Sequence, residues 1–321
     1  MNKDSLIYVA GHRGLVGSAL VRQLKVRGYH NLLLEGHQRL DLTNLSSVAY
    51  FFGRHRPAYV FLAAARVGGV CSNNKHEADF LLQNLQIQNN VIECAHKYGA
   101  KKLLFLGSAC VYPRLAPEPV VESDLLCGPL ESSNQWYAIA KIAGLKLCQA
   151  MRRQHGCDFI SAMPTNLYGP GDKYDLESCH VLPALIRRFA EAKLRGDQSV
   201  TCWGDGSPRR EFLYSDDCAV ACIRLMQEYS GEPPVNIGTG SDMTIEQLAT
   251  SIAITTDYRG RIEWDKSKPN GTPSRLLDIT KITCLGWKPE MDFRRGLRLT
   301  YGDFLEYQLK PHASKIYDNM R

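Results

Sequence analysis

Three glycines spaced three apart, Gly11, Gly14 and Gly17, follow directly on the apolar run Leu6-Ile7-Tyr8-Val9-Ala10, and a helical pattern continues through Leu24. Strand, glycine turn, helix is the context in which a glycine motif becomes a phosphate-binding site. Glycine lets the backbone turn tightly and approach a pyrophosphate. The amino end of the helix adds unpaired N–H groups and a partial positive charge.

The unit then repeats. A second strand is expected over Asn31–Leu34 and a helix over about 44–55, stopped by Pro57. A third strand, Ala58–Ala63, runs into Ala64-Ala65, small residues that suit a backbone packed close to a flat ligand. Apolar residues are helix-spaced over Phe80–Tyr98, Lys102–Leu106 is a fourth strand, and the proline- and acid-rich stretch 112–133 reads as a loop. A helix over 134–155 and a strand over Phe159–Met163 follow. Strands alternating with helices predict an α/β chain with a parallel sheet wound on both faces, and ligands at the carboxyl ends of its strands.

After Pro170 the alternation loosens, with a helix over His180–Lys193, a strand over Ser199–Trp203, a helix over Ser215–Tyr229 and a strand over Pro234–Ile237. We therefore expect a dinucleotide-binding domain from 1–170 and 214–240, and a smaller α+β lobe from 171–213 and 241–321.

Composition narrows the partners. A hydrophobic content of 44% with 22% charged residues is that of a soluble globular chain. No apolar run reaches the roughly 18–20 residues of a membrane span. The net charge of +6 is unclustered, which suits small anions and argues against nucleic acid. Eleven cysteines, an odd number without a Cys-x-x-Cys pair, and an amino terminus without a secretory pattern fit a reducing cytoplasm. Cys218 and Cys222 lie one helical turn apart and read as a buried face, so no metal site is expected.

A second constellation carries chemistry. Tyr137 and Lys141 stand four apart in the 134–155 helix and project from one face. A free phenol has a pKa of about 10, and a neighbouring ammonium is expected to lower it. Ser108 lies just beyond the fourth strand, where its hydroxyl can bond the oxygen that the tyrosine protonates. The arrangement is a proton relay beside a carbonyl or alcohol.

Together, Gly11-x-x-Gly14-x-x-Gly17, Ser108 and Tyr137-x-x-x-Lys141 resemble the extended short-chain dehydrogenase/reductase superfamily, with its Rossmann domain. Longer matches, over 11–19, 63–69, 106–113, 164–170, 178–189, Trp203-Gly204 and Arg210-Glu211-Phe212, are similar to the GDP-L-fucose synthase family. The resemblance implies epimerisation of C3 and C5 of GDP-4-keto-6-deoxy-D-mannose and reduction of C4 with NADPH. It implies Cys110 as base, His180 as acid, Ser108 and Tyr137 as holders of the enolate oxygen, and Lys141 beside Tyr137 and the nicotinamide ribose. Along NADPH it places Gly11, His12, Arg13, Gly14, Leu15, Val16, Gly17, His37, Asp41, Leu42, Ala63, Ala64, Leu106, Gly107, Ser108, Tyr137, Lys141, Pro164, Thr165, Asn166, Leu167 and His180. Along the GDP-sugar it places Arg188, Trp203, Arg210 and Asn270. A homodimer through the Tyr137 helix and the 78–98 helix is the superfamily habit.

Two positions depart from the family. Asn270 stands where Asp is common, and His37 stands where NADPH-preferring relatives carry arginine; Glu35 nearby suits a ribose 2′-hydroxyl. Competing readings are a GDP-colitose type C5 epimerase-reductase, a 4-epimerase holding NAD, and a nucleotide-sensing binding protein. Cys110 and His180 argue against the 4-epimerase, and Tyr137 with Lys141 against the sensor.

Overall fold

A computed structural model describes residues 1–268 and 270–308. Along the first half run β1 (Ile7–Ala10), α1 (Leu15–Val26), β2 (Leu32–Leu33), α2 (Leu45–His55), β3 (Tyr59–Leu62), α3 (Val70–Lys75), α4 (Glu77–Lys97), β4 (Lys102–Leu106), α5 (Gln135–His155), β5 (Asp158–Pro164) and β6 (Asn166–Tyr168). The second half contains α6 (Val181–Arg195), β7 (Ser199–Trp203), β8 (Arg209–Arg210), β9 (Phe212–Tyr214), α7 (Ser215–Glu228), β10 (Val235–Ile237), β11 (Met243–Thr244), α8 (Ile245–Thr256), β12 (Arg261–Asp265), α9 (Thr280–Cys284) and α10 (Phe293–Gln308).

Six strands form one sheet in the order β10-β5-β4-β3-β1-β2, every neighbouring pair parallel. The α/β doubly wound expectation holds. The chain leaves β1 toward β2, then crosses back to β3, so the order reverses between β1 and β3. That reversal opens the crevice in which such sheets bind ligands. The second strand is shorter than expected, because at the sheet edge only β1 pairs with it. The sequence pattern also missed the short helix α3.

Both faces of the sheet are buried, which is why its strands read as unbroken apolar runs. Side chains still alternate. Tyr8, Val60, Leu103 and Phe105 enter one core with Phe52, Ile92 and Leu145. Ile7, Val9, Phe61 and Leu104 enter the other with Leu20, Cys218 and Cys222. The helical cysteine pair is thus core. A third core joins Leu185, Phe189, Val200, Phe212, Leu248, Leu297 and Phe304. Leu277, Ile282 and Trp287 return to the two sheet cores, tied by Val120 N–H to Leu276 O (2.8 Å) and Asp278 N–H to Val120 O (2.9 Å). The chain end beyond residue 308, expected within the smaller lobe, lies outside the described residues.

Candidate active site

The glycine turn sits at the crevice, and its glycines have different reasons to be there. Gly11 has φ +81°, a left-handed conformation that costs other residues. A Cβ on it would also lie 2.8 Å from the Ala64 backbone. Ala63 and Ala64 are thereby held against the turn, with Ala63 N–H bonded to Ala10 O at 3.1 Å. A Cβ on Gly17 would press into the Gly11 carbonyl and reach within 2.8 Å of His12 Cα. Gly14 is different: its backbone is ordinary (φ −79°, ψ 172°), and a Cβ would meet only the Gly11 carbonyl, at 3.5 Å. The fold does not need a glycine there. Gly14 caps α1 without a side-chain hydrogen bond, so its bareness keeps the first N–H groups, around Leu15 and Val16, open to a ligand. His12 Nδ1 is buried without a partner, a cost that a polar ligand removes. A dinucleotide diphosphate fits this cradle.

Where the adenosine end is expected, the Arg13 guanidinium lies over Gly36; a Cβ on Gly36 would be 3.2 Å from Arg13 Cζ. Arg13 and the enclosed surroundings lower the His12 pKa, burial being the larger cause, against the opposing pull of Glu35. His37 is 82% exposed, with Nδ1 3.9 Å from Asp41. Desolvation tends to raise the Asp41 pKa, but hydrogen bonds from Thr43 N–H (2.9 Å) and Oγ1 (2.8 Å) hold it below its usual value. Leu42 O accepts from Asn90 Nδ2 at 2.9 Å. Beyond β4, Gly107 donates to Ala162 O at 2.8 Å, and Leu106 lies beside it. After Pro164, Thr165 Oγ1 and Asn166 Nδ2 donate to Glu211 O at 3.3 and 3.0 Å, which fixes the path of Leu167.

The second constellation assembles as the spacing predicts. Lys141 is buried, and its Nζ donates to Leu106 O at 2.7 Å, standing 5.7 Å from the Tyr137 ring centre. The Tyr137 ring packs edge-on against Phe80, 6.5 Å between centres. Ser108 caps a 3-10 turn over Ala109–Val111, and its Oγ accepts from Cys110 N–H at 3.3 Å. Tyr137, Lys141, Ser108 and Cys110 are electrostatic neighbours.

One expectation about this cluster is overturned. The Tyr137 pKa is not lowered by Lys141. Burial, with Cys110 second, pushes the phenol upward, and burial lowers Lys141 itself to about 8, against Cys110. Desolvation penalises whichever form is charged, and at this distance the ammonium does not offset it. The phenol is therefore a firmly protonated acid. Cys110 is also raised by burial, against Ser108, Lys141 and Arg275.

His180 caps α6 without a side-chain hydrogen bond. Its loop is held by Gly69 N–H to Ser178 O at 2.8 Å, and a side chain on Gly69 would strike the Cys179 carbonyl. That explains why the 63–69 stretch ends in a glycine. The ring is reachable from solvent, yet enough protein surrounds it that desolvation, with Lys173, lowers its pKa.

The residues expected on the substrate side fall into two groups. Arg188 and Lys268 stack over the half-exposed Trp203 ring at 5.5 and 5.9 Å. Arg210, enclosed, lowered by burial and by Arg275, donates to Arg209 O at 2.7 Å. Asn270 Oδ1 accepts from Asp205 N–H at 3.0 Å. An Asp at 270 offers the same acceptor, so this loop lock does not distinguish Asn from Asp; the adjoining Pro269 lies outside the described residues. Sequence reasoning missed Phe80, Lys268 and Arg275, and also Asn134 and Trp136. Asn134 Oδ1 and Trp136 Nε1 are buried without partners at the start of α5, three residues and one residue before Tyr137. Spacing of Asn134 three before Tyr137 was the available signal.

Residues 7–238 match the model of the NAD dependent epimerase/dehydratase family. The chain is 54% identical over 305 residues to GDP-L-fucose synthase 1 of Arabidopsis thaliana, covering 95% of this chain and 94% of that one. It is 34% identical to the GDP-L-colitose synthase of Yersinia pseudotuberculosis, covering 93% and 97%. Among solved structures, the GDP-L-fucose synthetase of Naegleria fowleri bound to NADP superposes with a TM-score of 0.88 at 29% identity, covering 97% of both chains.

Proposed function

The chain belongs to the NAD dependent epimerase/dehydratase family and, within it, to the GDP-L-fucose synthases, and from that membership we infer its reaction and the work of its residues. It is an NADP-dependent epimerase-reductase that inverts C3 and C5 of GDP-4-keto-6-deoxy-D-mannose and reduces C4, giving GDP-L-fucose. Identity of 54% to a fucose synthase against 34% to a colitose synthase carries this choice of substrate.

We propose that the glycine turn, Ala63, Ala64, Leu106, Gly107 and residues 164–167 hold the cofactor, with Arg13, His37, Asp41 and Leu42 at its adenosine end. When bound, NADPH supplies the hydride for C4. Arg188 and Arg210 offer guanidinium groups to the diphosphate, Trp203 a flat wall, and Asn270 the lock of the neighbouring loop. The 4-keto group acidifies C3–H and C5–H. Cys110 takes each proton as thiolate, becoming thiol, and His180 delivers a proton to the opposite face. Ser108 and the protonated Tyr137 donate to the oxygen on which the enolate charge gathers. Tyr137 then gives its proton to that oxygen as C4 is reduced. The pKa directions impose a condition: at rest sulfur keeps its proton and the imidazole is neutral, so these roles require a proton to pass from Cys110 to His180. Lys141 favours that transfer by stabilising the thiolate. Residues 1–170 and 214–240, joined by 277–287, form the cofactor domain, and the other described residues the sugar-binding lobe. The chain works as a homodimer through α4 and α5, in the cytoplasm.

The test is wash-in of solvent deuterium. Cys110→Ser and His180→Asn should each slow exchange at C3 and C5 by about 10²-fold or more, with NADPH affinity kept. Exchange at both carbons at the wild-type rate in either variant removes that residue from the epimerisation.

A further inference from the structure

Arg275 is a buried cation whose setting is unusual. It is 8% exposed. Its Nη1 donates to Pro113 O at 2.9 Å, at the foot of the turn that carries Cys110. The backbone around it is pinned, since residues 276–278 pair with Val120. Two carboxylates lie in its surroundings, Glu118 and Glu131. Glu118 is engaged by Ser274 Oγ (2.7 Å) and Leu276 N–H (3.1 Å). Glu131 is engaged by Thr272 Oγ1 (3.2 Å) and Arg114 (3.3 Å). Among the described residues Arg275 forms no ion pair with either. A buried guanidinium bonded to one carbonyl is costly unless an anion faces it. The remaining groups near it are Tyr112, Arg210 and Cys110. Tyr112 gives its hydroxyl to Asn236 at 2.5 Å, Arg210 is a like charge, and Cys110 alone has a proton that the reaction removes.

We propose that Arg275 is a positioning residue for Cys110: it anchors the cysteine's turn through Pro113 and supplies the counter-charge under which the thiol becomes thiolate. Lys141 from α5 and Arg275 from the 272–278 segment both act electrostatically on the sulfur, with Tyr137 and Ser108 as uncharged neighbours. Both cations act on it in the same direction, against burial. This rests on the reading of Cys110 as base, but its test does not use the reaction.

The full chain, without substrate, is alkylated with iodoacetamide from pH 6.5 to 10, and modification of Cys110 is followed by peptide mass. Arg275→Gln keeps a donor for Pro113 O and drops the charge; Arg275→Lys keeps a charge. The Gln variant should shift the Cys110 profile to higher pH and react about tenfold more slowly at pH 8, while Lys restores most of the rate and NADPH affinity is unchanged in both. Superimposed profiles for Gln and wild type overturn the proposal. If the Gln variant does not fold, the wild type decides: the Arg275 Nε–Hε resonance should titrate with Cys110 and stay flat in Cys110→Ser, and a flat wild-type resonance overturns it. Loss of the deuterium-exchange effect of Cys110→Ser with the alkylation shift intact would sink the base reading alone.

Discussion

Lys141→Met should separate what the site needs from what the fold needs. Burial holds the ammonium down from 10.5 to about 8, which corresponds to roughly 3 kcal/mol set against folding while the group is charged in both states. Methionine fills similar space without the charge but leaves Leu106 O, now bonded at 2.7 Å, without its partner, a loss of about 1–2 kcal/mol. At pH 7 the variant should therefore be more stable by about 1–2 kcal/mol and nearly inactive. The pH trend is sharper than the absolute value. Below about pH 8 folded and unfolded chains both carry the proton and the full penalty applies. Between 8 and 10.5 the folded chain has released its proton while the unfolded chain keeps it, so wild-type stability rises through that window. From pH 7 to 9.5 about 2 kcal/mol of the difference should close. Urea unfolding of both proteins without cofactor, at the two pH values, measures it. A stability difference that stays constant between them would refute the account of Lys141 as a buried, desolvated cation.

The glycine turn gives a paired prediction: Gly17→Ala should destabilise the fold severely, because its methyl group meets the Gly11 carbonyl, whereas Gly14→Ala should unfold at the wild-type urea concentration and lose about tenfold or more in NADPH affinity; equal effects on both measurements would refute the division of labour. At the adenosine end, Arg13→Ala should lower the preference for NADPH over NADH by about tenfold, and His37→Ala by less, its ring being 82% exposed. Titration calorimetry of both cofactors ranks the two, and a larger loss at His37 would reverse the assignment.

How much of this was readable depends on the range of the interactions. The parallel sheet was legible because its inner strands are buried on both faces and each crossover helix is periodic, both local properties of sequence. Tyr137 and Lys141 were legible as a pair because helical spacing alone puts them together. Arg275 and Phe80 were not, since they reach the site only after the chain has folded through Val120 and α4. The direction of the Tyr137 pKa was also out of reach: spacing gives a neighbour's charge but not the degree of desolvation, and here desolvation is the larger effect. Asn270 shows the same boundary, because its bond to Asp205 N–H joins residues 65 apart.

Burial acts on the whole cluster in one sense, against charge. It raises the Cys110 thiol and the Tyr137 phenol and lowers Lys141. An ordinary thiol releases its proton well before an ordinary ammonium does. Here burial drives the two values toward one another, up from 9.0 for Cys110 and down from 10.5 to about 8 for Lys141. A lone thiolate is costly in such a site, but a thiolate formed beside Lys141 and Arg275 neutralises charge already buried. The deprotonation of Cys110, the proposed base, is thus coupled to the two cations that the fold maintains at a cost. It follows that Lys141→Met and Arg275→Gln, which act on one sulfur, should not add independently. Each alone leaves one cation facing Cys110, and the second removal takes the last. The double variant should delay Cys110 alkylation by more than the product of the single effects; strictly multiplicative rates would mean that the two cations act on the sulfur without coupling to one another.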